Sequence, residues 1–235
     1  MSESEKARRL LELHHAAEPL VLVNAWDAAS ACVVEKAGLP AIATTSAGVA
    51  NALGYADGQN VPWPEMVSVV GKIALAVRVP VTADIEAGFA GDLQQLEWAL
   101  EQLLEAGAVG INLEDAIPGQ GGHEQLYPLA EQAQRIAAVR KIGEKRKIHI
   151  VINARTDAFW QKGAEPESAL RKTVERGHAY LKAGADCIFV PGMRKPEHIR
   201  AVVGEWKSPV NILAGPGVPA IPELAALGVK RVSFG

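Results

Sequence analysis

Two carboxylates two residues apart, Asp84 and Glu86, stand at the end of the apolar run Val79-Pro80-Val81-Thr82-Ala83 and directly before Ala87-Gly88. Residues two apart on a strand share a face, so both acids are expected to leave one strand end in the same direction. Like charges held side by side repel unless a proton or a cation lies between them. Oxygen ligands in that arrangement suit a hard divalent ion, Mg²⁺ or Mn²⁺, which takes carboxylate and water. The competing reading is a solvated acidic cluster capping a helix.

The elements that must position these acids follow from apolar runs and helix-stopping glycines. A short amphipathic helix is expected over residues 3–15. Strands are expected at 20–24, 40–44, 79–83, 108–115, 147–155, 185–190, 209–213 and 230–234. Between them, helices are expected from the cap Asp27 to about Lys36, from Pro62 to Val77, from Leu93 to Glu105 and from Leu129 to Ile142. Further helices end at Lys182, run from Pro196 to Trp206 and cover 219–227. Gly38, Gly107, Gly184 and Gly228 stop helices, since glycine takes the left-handed conformation cheaply. The segment Thr44-Thr45-Ser46-Ala47-Gly48 reads as a loop.

Eight apolar strands alternating with helices predict a closed (β/α)₈ TIM-type barrel, one domain over 1–235. An open doubly wound sheet would carry a glycine-rich fingerprint after its first strand, and Asn24-Ala25-Trp26-Asp27 is not one. The sequence stops one residue after the eighth strand. The eighth helix is therefore expected from a tail beyond Gly235 or from another subunit.

In such a barrel the active site lies at the C-terminal ends of the strands. The polar residues expected there are Asn24, Ser46, Asp84, Glu86, Glu114, Asp115, Asn153, Arg155, Asp157 and Asn211. Asp84 is expected to touch the metal, with Asp57, Glu86 and Glu114 holding its waters. Arg155 is placed to clamp a substrate carboxylate in two-pronged fashion. The Thr45–Gly48 stretch, through the Ser46 hydroxyl and the N–H groups of Ala47 and Gly48, is expected to hold a second oxygen. A metal beside a carbonyl oxygen stabilises an enolate as a Lewis acid.

Each residue has a plainer reading. Arg155 could only neutralise Glu114 or Asp157. Asp57 sits in an ordinary turn sequence, Tyr55-Ala56-Asp57-Gly58. Asp27 reads as a helix cap, His149 as a core or flank residue, and His123 as a solvated loop residue or a lid acid. Strand alternation turns Glu114 toward the mouth, with Asn112, and Asp115 away from it.

The totals exclude several classes. Of 235 residues, 24 are Lys or Arg and 27 Asp or Glu, so no basic surplus exists for a nucleic-acid backbone. Cys32 and Cys187 lie far apart in apolar runs and read as buried thiols in a reducing compartment. The charged N-terminus lacks the apolar core of a secretory signal, and no apolar run approaches the ~18 residues of a membrane span. A cytoplasmic protein with neither nucleic-acid nor membrane partners is expected.

Together, NAWDAASA (24–31), TTSAG (44–48), VTADIEAGFA (81–90), INLEDA (111–116) and NARTDAF (153–159) resemble the isocitrate lyase / phosphoenolpyruvate mutase superfamily over nearly the whole chain. The resemblance implies a (β/α)₈ barrel that binds Mg²⁺ and α-oxo or 2-hydroxy acids and makes or breaks C–C or P–C bonds through enolate-like intermediates. It also implies a homodimer or homotetramer in which the eighth helix is swapped. By position it makes Asp84 and Glu86 the metal pair, Asp57 and Glu114 the acids on metal waters, and Ser46, Ala47 and Gly48 the holder of the oxo-acid end. Arg155 becomes the substrate arginine and Asn211 a residue near the substrate.

The departures from the family concern the loop after the fourth strand. It reads Ile117-Pro118-Gly119-Gln120-Gly121-Gly122-His123-Glu124. It has neither the Lys-Lys-Cys-Gly-His of isocitrate and methylisocitrate lyases nor the Lys and Asn-Ser of the mutase and phosphonopyruvate hydrolase lid. Val190-Pro191-Gly192 lacks the histidine the mutases carry after the sixth strand. The resemblance thus implies a lyase or decarboxylase of a less characterised branch. An α-oxo acid binding protein without turnover and a phosphonopyruvate-type enzyme are the alternatives.

Overall fold

The computed structural model describes residues 1–119 and 125–235. Eight parallel strands close into a barrel in sequence order: β1 (Leu20–Ala25), β2 (Ile42–Thr44), β3 (Val81–Asp84), β4 (Gly110–Glu114), β5 (Val151–Arg155), β6 (Cys187–Phe189), β7 (Val210–Leu213) and β8 (Arg231–Phe234). β8 returns to β1 through Leu20↔Arg231 and Leu22↔Ser233. The described residues form nine helices: α1 (Glu3–His14), α2 (Ala28–Lys36), α3 (Ser46–Leu53), α4 (Trp63–Ala76), α5 (Leu93–Glu105), α6 (Leu129–Arg146), α7 (Pro166–Lys182), α8 (Pro196–Trp206) and α9 (Ile221–Ala226). None is long and apolar enough to cross a membrane.

Local chemistry explains most boundaries. Asp27 and Asp92 cap α2 and α5 by accepting from the N–H groups of Ser30 and Gln95, which satisfies donors a helix start leaves open. The expected strand over 147–155 starts only at Val151. Lys147 turns into the left-handed region (φ 57°) and the Ile148 N–H returns to the Gly143 carbonyl, so residues 147–148 finish α6. The expected loop at 44–48 is instead the end of β2 and the start of α3. Thr45 caps that helix through its Oγ1, which accepts from the Gly48 N–H at 3.2 Å.

Between strands and helices lies an apolar layer that includes Met66, Leu96, Leu100, Leu103, Ile136, Val139, Tyr180 and Val202, all buried. Burying one such side chain contributes roughly 1.5–3 kcal/mol. The helices of that layer pack closely. A Cβ on Gly177 of α7 would lie 2.3 Å from the indole of Trp206 on α8.

At the barrel's N-terminal end sits α1. Its buried stripe, Ala7, Leu10 and Leu13, packs on Leu20, Leu22, Ala41, Ala43, Val109 and Val151. Leu10 enters the gap left by Gly110, where a Cβ would meet the leucine at 2.7 Å. Ser2 and Glu5 start this helix as a reciprocal capping box. The N-terminal end is thus filled by apolar side chains, and the polar residues gather toward the opposite mouth.

Candidate active site

A cavity of about 490 Å³ opens at that mouth. Thr45, Ser46, Ala47, Asp57, Asp84, Glu86, Glu114 and Arg155 all line it, so most residues singled out from sequence share one space.

Asp84, the last residue of β3, is held on both oxygens. The Ser46 N–H (3.1 Å) and hydroxyl (2.7 Å) donate to its Oδ2, and the Asn112 side-chain amide donates to its Oδ1 at 2.8 Å. Asn112 is in turn fixed by the Asn153 amide at 3.0 Å. These partners set the carboxylate's direction before any ligand arrives.

Glu86 reaches the same cavity by a different route from the shared strand face expected. β3 ends at Asp84, and Glu86 sits at φ 48° in a turn closed by the Gly88 N–H on the Ile85 carbonyl. The Glu114 N–H pins the Glu86 carbonyl at 2.8 Å. Gln59 (φ 61°) and Phe89 (φ 51°) are also left-handed, and Gln59 Oε1 accepts from the Phe89 N–H at 2.5 Å. Three non-glycine residues in this region mark a strained rim, as functional sites tolerate. Burial, the neighbouring Asp84 and Asp57 push the Glu86 carboxyl up to about 8, against the Gln59 N–H and Arg155.

Glu114 faces the mouth, as strand alternation requires. Its Oε2 lies 2.9 Å from Arg155 Nη1. Burial pushes this carboxyl well up against the pull of Arg155, and Asp157, Asp84 and Glu86 add to the rise. Arg155 corrects one expectation. Its Nε and Nη2 are taken by Asp157 at 2.6 and 2.9 Å, so the edge assigned to a substrate carboxylate already holds one. The guanidinium also stacks over Trp160 at 4.7 Å. Burial works against its charge, and Glu114 and Asp157 more than offset it.

Of the residues expected at the mouth, Gly48, Asp115, Asn153, Asp157 and Asn211 do not line the cavity. The Gly48 N–H is spent on the Thr45 cap. Asn211 is buried and exchanges hydrogen bonds with Ser233 at 3.0 and 3.1 Å. Asp115 points away, as expected, into a network sequence reasoning missed. It accepts from Tyr180 Oη (2.7 Å), Arg176 Nη1 (3.0 Å) and the Asp157 N–H (2.9 Å). Arg176 also donates to the Tyr127 carbonyl, tying α7 to the chain before α6. His149 lies at the flank, 2.7 Å from Asp186. His123 lies outside the described residues. Asn112 and Arg231, both lining the cavity, were not singled out as site residues. Their signal was alternation, with Asn112 two before Glu114 and Arg231 two before Ser233.

Among the described residues no three His, Cys, Asp or Glu side chains lie close enough to grip one ion together. The donor set still fits Mg²⁺, which keeps most of its waters and takes one or two carboxylates. Asp84 is the carboxylate whose oxygens are fixed by donors and could serve as a single direct ligand, and Asp84 and Asp57 add to the rise that burial gives the Glu86 carboxyl. Glu114 and Asp57 border the same space.

A model of the phosphoenolpyruvate phosphomutase family matches residues 10–235. A 2-methylisocitrate lyase of Halalkalibacterium halodurans is 31% identical over 213 residues, covering 89% of this chain and 67% of the relative. A 2,3-dimethylmalate lyase of Eubacterium barkeri is 30% identical over 229 residues, covering 94% and 77%. The solved structure of a phosphonopyruvate hydrolase complex with oxalate and Mg²⁺ matches with a TM-score of 0.84 at 26% identity, covering 98% of this chain and 80% of that one.

Proposed function

The chain belongs to the phosphoenolpyruvate phosphomutase family, within a superfamily of lyases and mutases, and from that membership we propose a Mg²⁺-dependent lyase or decarboxylase. Its substrate is a small α-oxo or 2-hydroxy carboxylate, and its intermediate is enolate-like. The observation that carries this reading is Asp84, both oxygens oriented by Ser46 and Asn112, in one cavity with Glu86, Glu114 and Arg155.

Asp84 would hold the Mg²⁺, with Asp57, Glu86 and Glu114 on its waters. Bound there, the ion supplies Lewis-acid stabilisation of negative charge developing on the substrate's oxo oxygen. The chain's own groups do the rest. The Ala47 N–H, at the positive end of α3, orients the oxo-acid carboxylate, while both Ser46 donors stay on Asp84. Arg155, fixed by Asp157 and Glu114, supplies positive charge beside it without moving. Ile117, Trp160 and Phe189 form the apolar wall that limits water.

The test is a panel of oxaloacetate, 4-hydroxy-2-oxo acids, 2-methylisocitrate and phosphonopyruvate, with and without Mg²⁺. The expected result is release of pyruvate or a similar 2-oxo acid, dependent on Mg²⁺ and lost in Asp84→Asn. No turnover on any of them, with metal binding verified, rejects the reading and leaves an oxo-acid binding protein. Turnover of phosphonopyruvate alone selects P–C cleavage, the reading favoured by the likeness to the phosphonopyruvate hydrolase. The protein is further proposed to be a cytoplasmic homodimer or homotetramer, which sedimentation measures directly. Its two free thiols, Cys32 and Cys187, suit a reducing compartment.

A further inference from the structure

Two cationic side chains border the cavity among the described residues, Arg155 and Arg231. Arg155 already carries two carboxylates. Arg231, near the start of β8, is only 3% exposed and has no acidic side chain at ion-pair distance among the described residues. Its hydrogen-bond partners are neutral and distant. Nε lies 3.4 Å from Ser233 Oγ, and Nη1 lies 3.4 Å from His14 Nε2.

His14 cannot supply a countercharge. Its Nδ1 lies 2.8 Å from the Leu10 carbonyl, which only accepts, so Nδ1 carries the proton and Nε2 is left as an acceptor. Burial and Arg231 push this imidazole down to about 4. Burial also lowers the Arg231 pKa, to about 10, and the side chain still remains a cation at neutral pH.

A buried charge without a partner is costly, and a guanidinium offers five N–H donors. Asn24 Oδ1 and Thr82 Oγ1, on residues lining the same cavity, have no hydrogen-bond partner. We propose that Arg231 is a second anion-binding point of this cavity, which takes a carboxylate-sized monoanion. The anion is the distal carboxylate of the substrate or, for a substrate with one carboxylate, a free small anion. The first case rests on the proposed function; the second does not.

Calorimetry on the Mg²⁺-loaded protein compares malate and 2-hydroxyglutarate with lactate, which lacks the distal carboxylate. The expected result is that one dicarboxylate binds about tenfold or more tighter than lactate, and that Arg231→Met brings the ratio close to one. A second arm follows the melting temperature of metal-free protein with formate, which should rise in the wild type and not in Arg231→Met. A formate effect without a dicarboxylate preference assigns the point to a free anion. If no hydroxy acid binds yet formate acts through residue 231, the proposed function fails and this site stands. Should Arg231→Met not fold, Arg231→Lys keeps the charge and loses the fork, and is expected to weaken both effects. A dicarboxylate ratio and a formate response that do not change with residue 231 overturn the proposal.

Discussion

Ser46 donates twice to one oxygen of Asp84, through its backbone N–H at 3.1 Å and its hydroxyl at 2.7 Å. A side chain at a helix start thereby aims a carboxylate at a strand end. Ser46→Ala removes the shorter bond and leaves the backbone one. Partners of this kind typically change metal affinity by about 10- to 100-fold. Mg²⁺ affinity measured by calorimetry should fall by about tenfold, with little change in thermal stability. An unaltered affinity would mean Asp84 needs no orienting, or holds no metal.

Glu86 gives the metal-free protein a pH dependence of unusual sign. Its folded carboxyl keeps a proton up to about 8, while the unfolded chain releases it near 4.5. Between those values the folded state binds more protons, so stability falls as pH rises through that window. Glu86→Gln should flatten the slope in denaturant titrations at pH 5, 6.5 and 8. Mg²⁺ uptake at pH 7 should release protons, seen as a dependence of the binding heat on the buffer's ionisation enthalpy. Equal heats in every buffer would contradict this.

His14 contributes the opposite slope. Buried beneath the barrel, it titrates at about 4 when folded against 6.5 unfolded. Between those values the unfolded chain binds more protons, so stability declines as pH drops from 6.5 toward 4. Proteolysis should then detect release of α1 under mild acid. His14→Gln should reduce the acid sensitivity, and a variant as acid-labile as the wild type would rule His14 out as its source.

Packing between α7 and α8 leaves no room at Gly177. Gly177→Ala places a methyl 2.3 Å from the Trp206 ring, and overpacking of this sort costs about 1–3 kcal/mol. The melting midpoint in urea should drop accordingly while Mg²⁺ affinity holds, because neither residue borders the cavity.

The fold was legible because its signals repeat. Each strand is a short apolar run, and glycines or capping acids punctuate the helices, as Asp27 and Asp92 show. Small residues hid α3. Thr45, Ser46 and Gly48 have poor helix propensity, and the Thr45 cap that starts the helix looks like any loop hydroxyl. The carboxylates were found through spacing, although Glu86 arrives by a left-handed turn that spacing cannot express. Glu114 and Asp157 were readable as partners of Arg155, but the Asp115 network and the surroundings of Arg231 were not. The pairing of Arg155 with Glu114 depends on the register of β4 on β5, and the isolation of Arg231 on the registers of β8 with β7 and β1, which only the closed sheet sets.

Among the described residues, Leu10 and Leu13 stopper the N-terminal end of the barrel, and its cavity opens at the opposite mouth. On the proposed function, cation, substrate and products would pass the mouth that Glu86 lines, where Glu86 holds its left-handed turn. A chain shortened past α1 would strip Leu10 and Leu13 from Leu20, Leu22 and Val151, and so turn the floor of the barrel into an apolar face open to water.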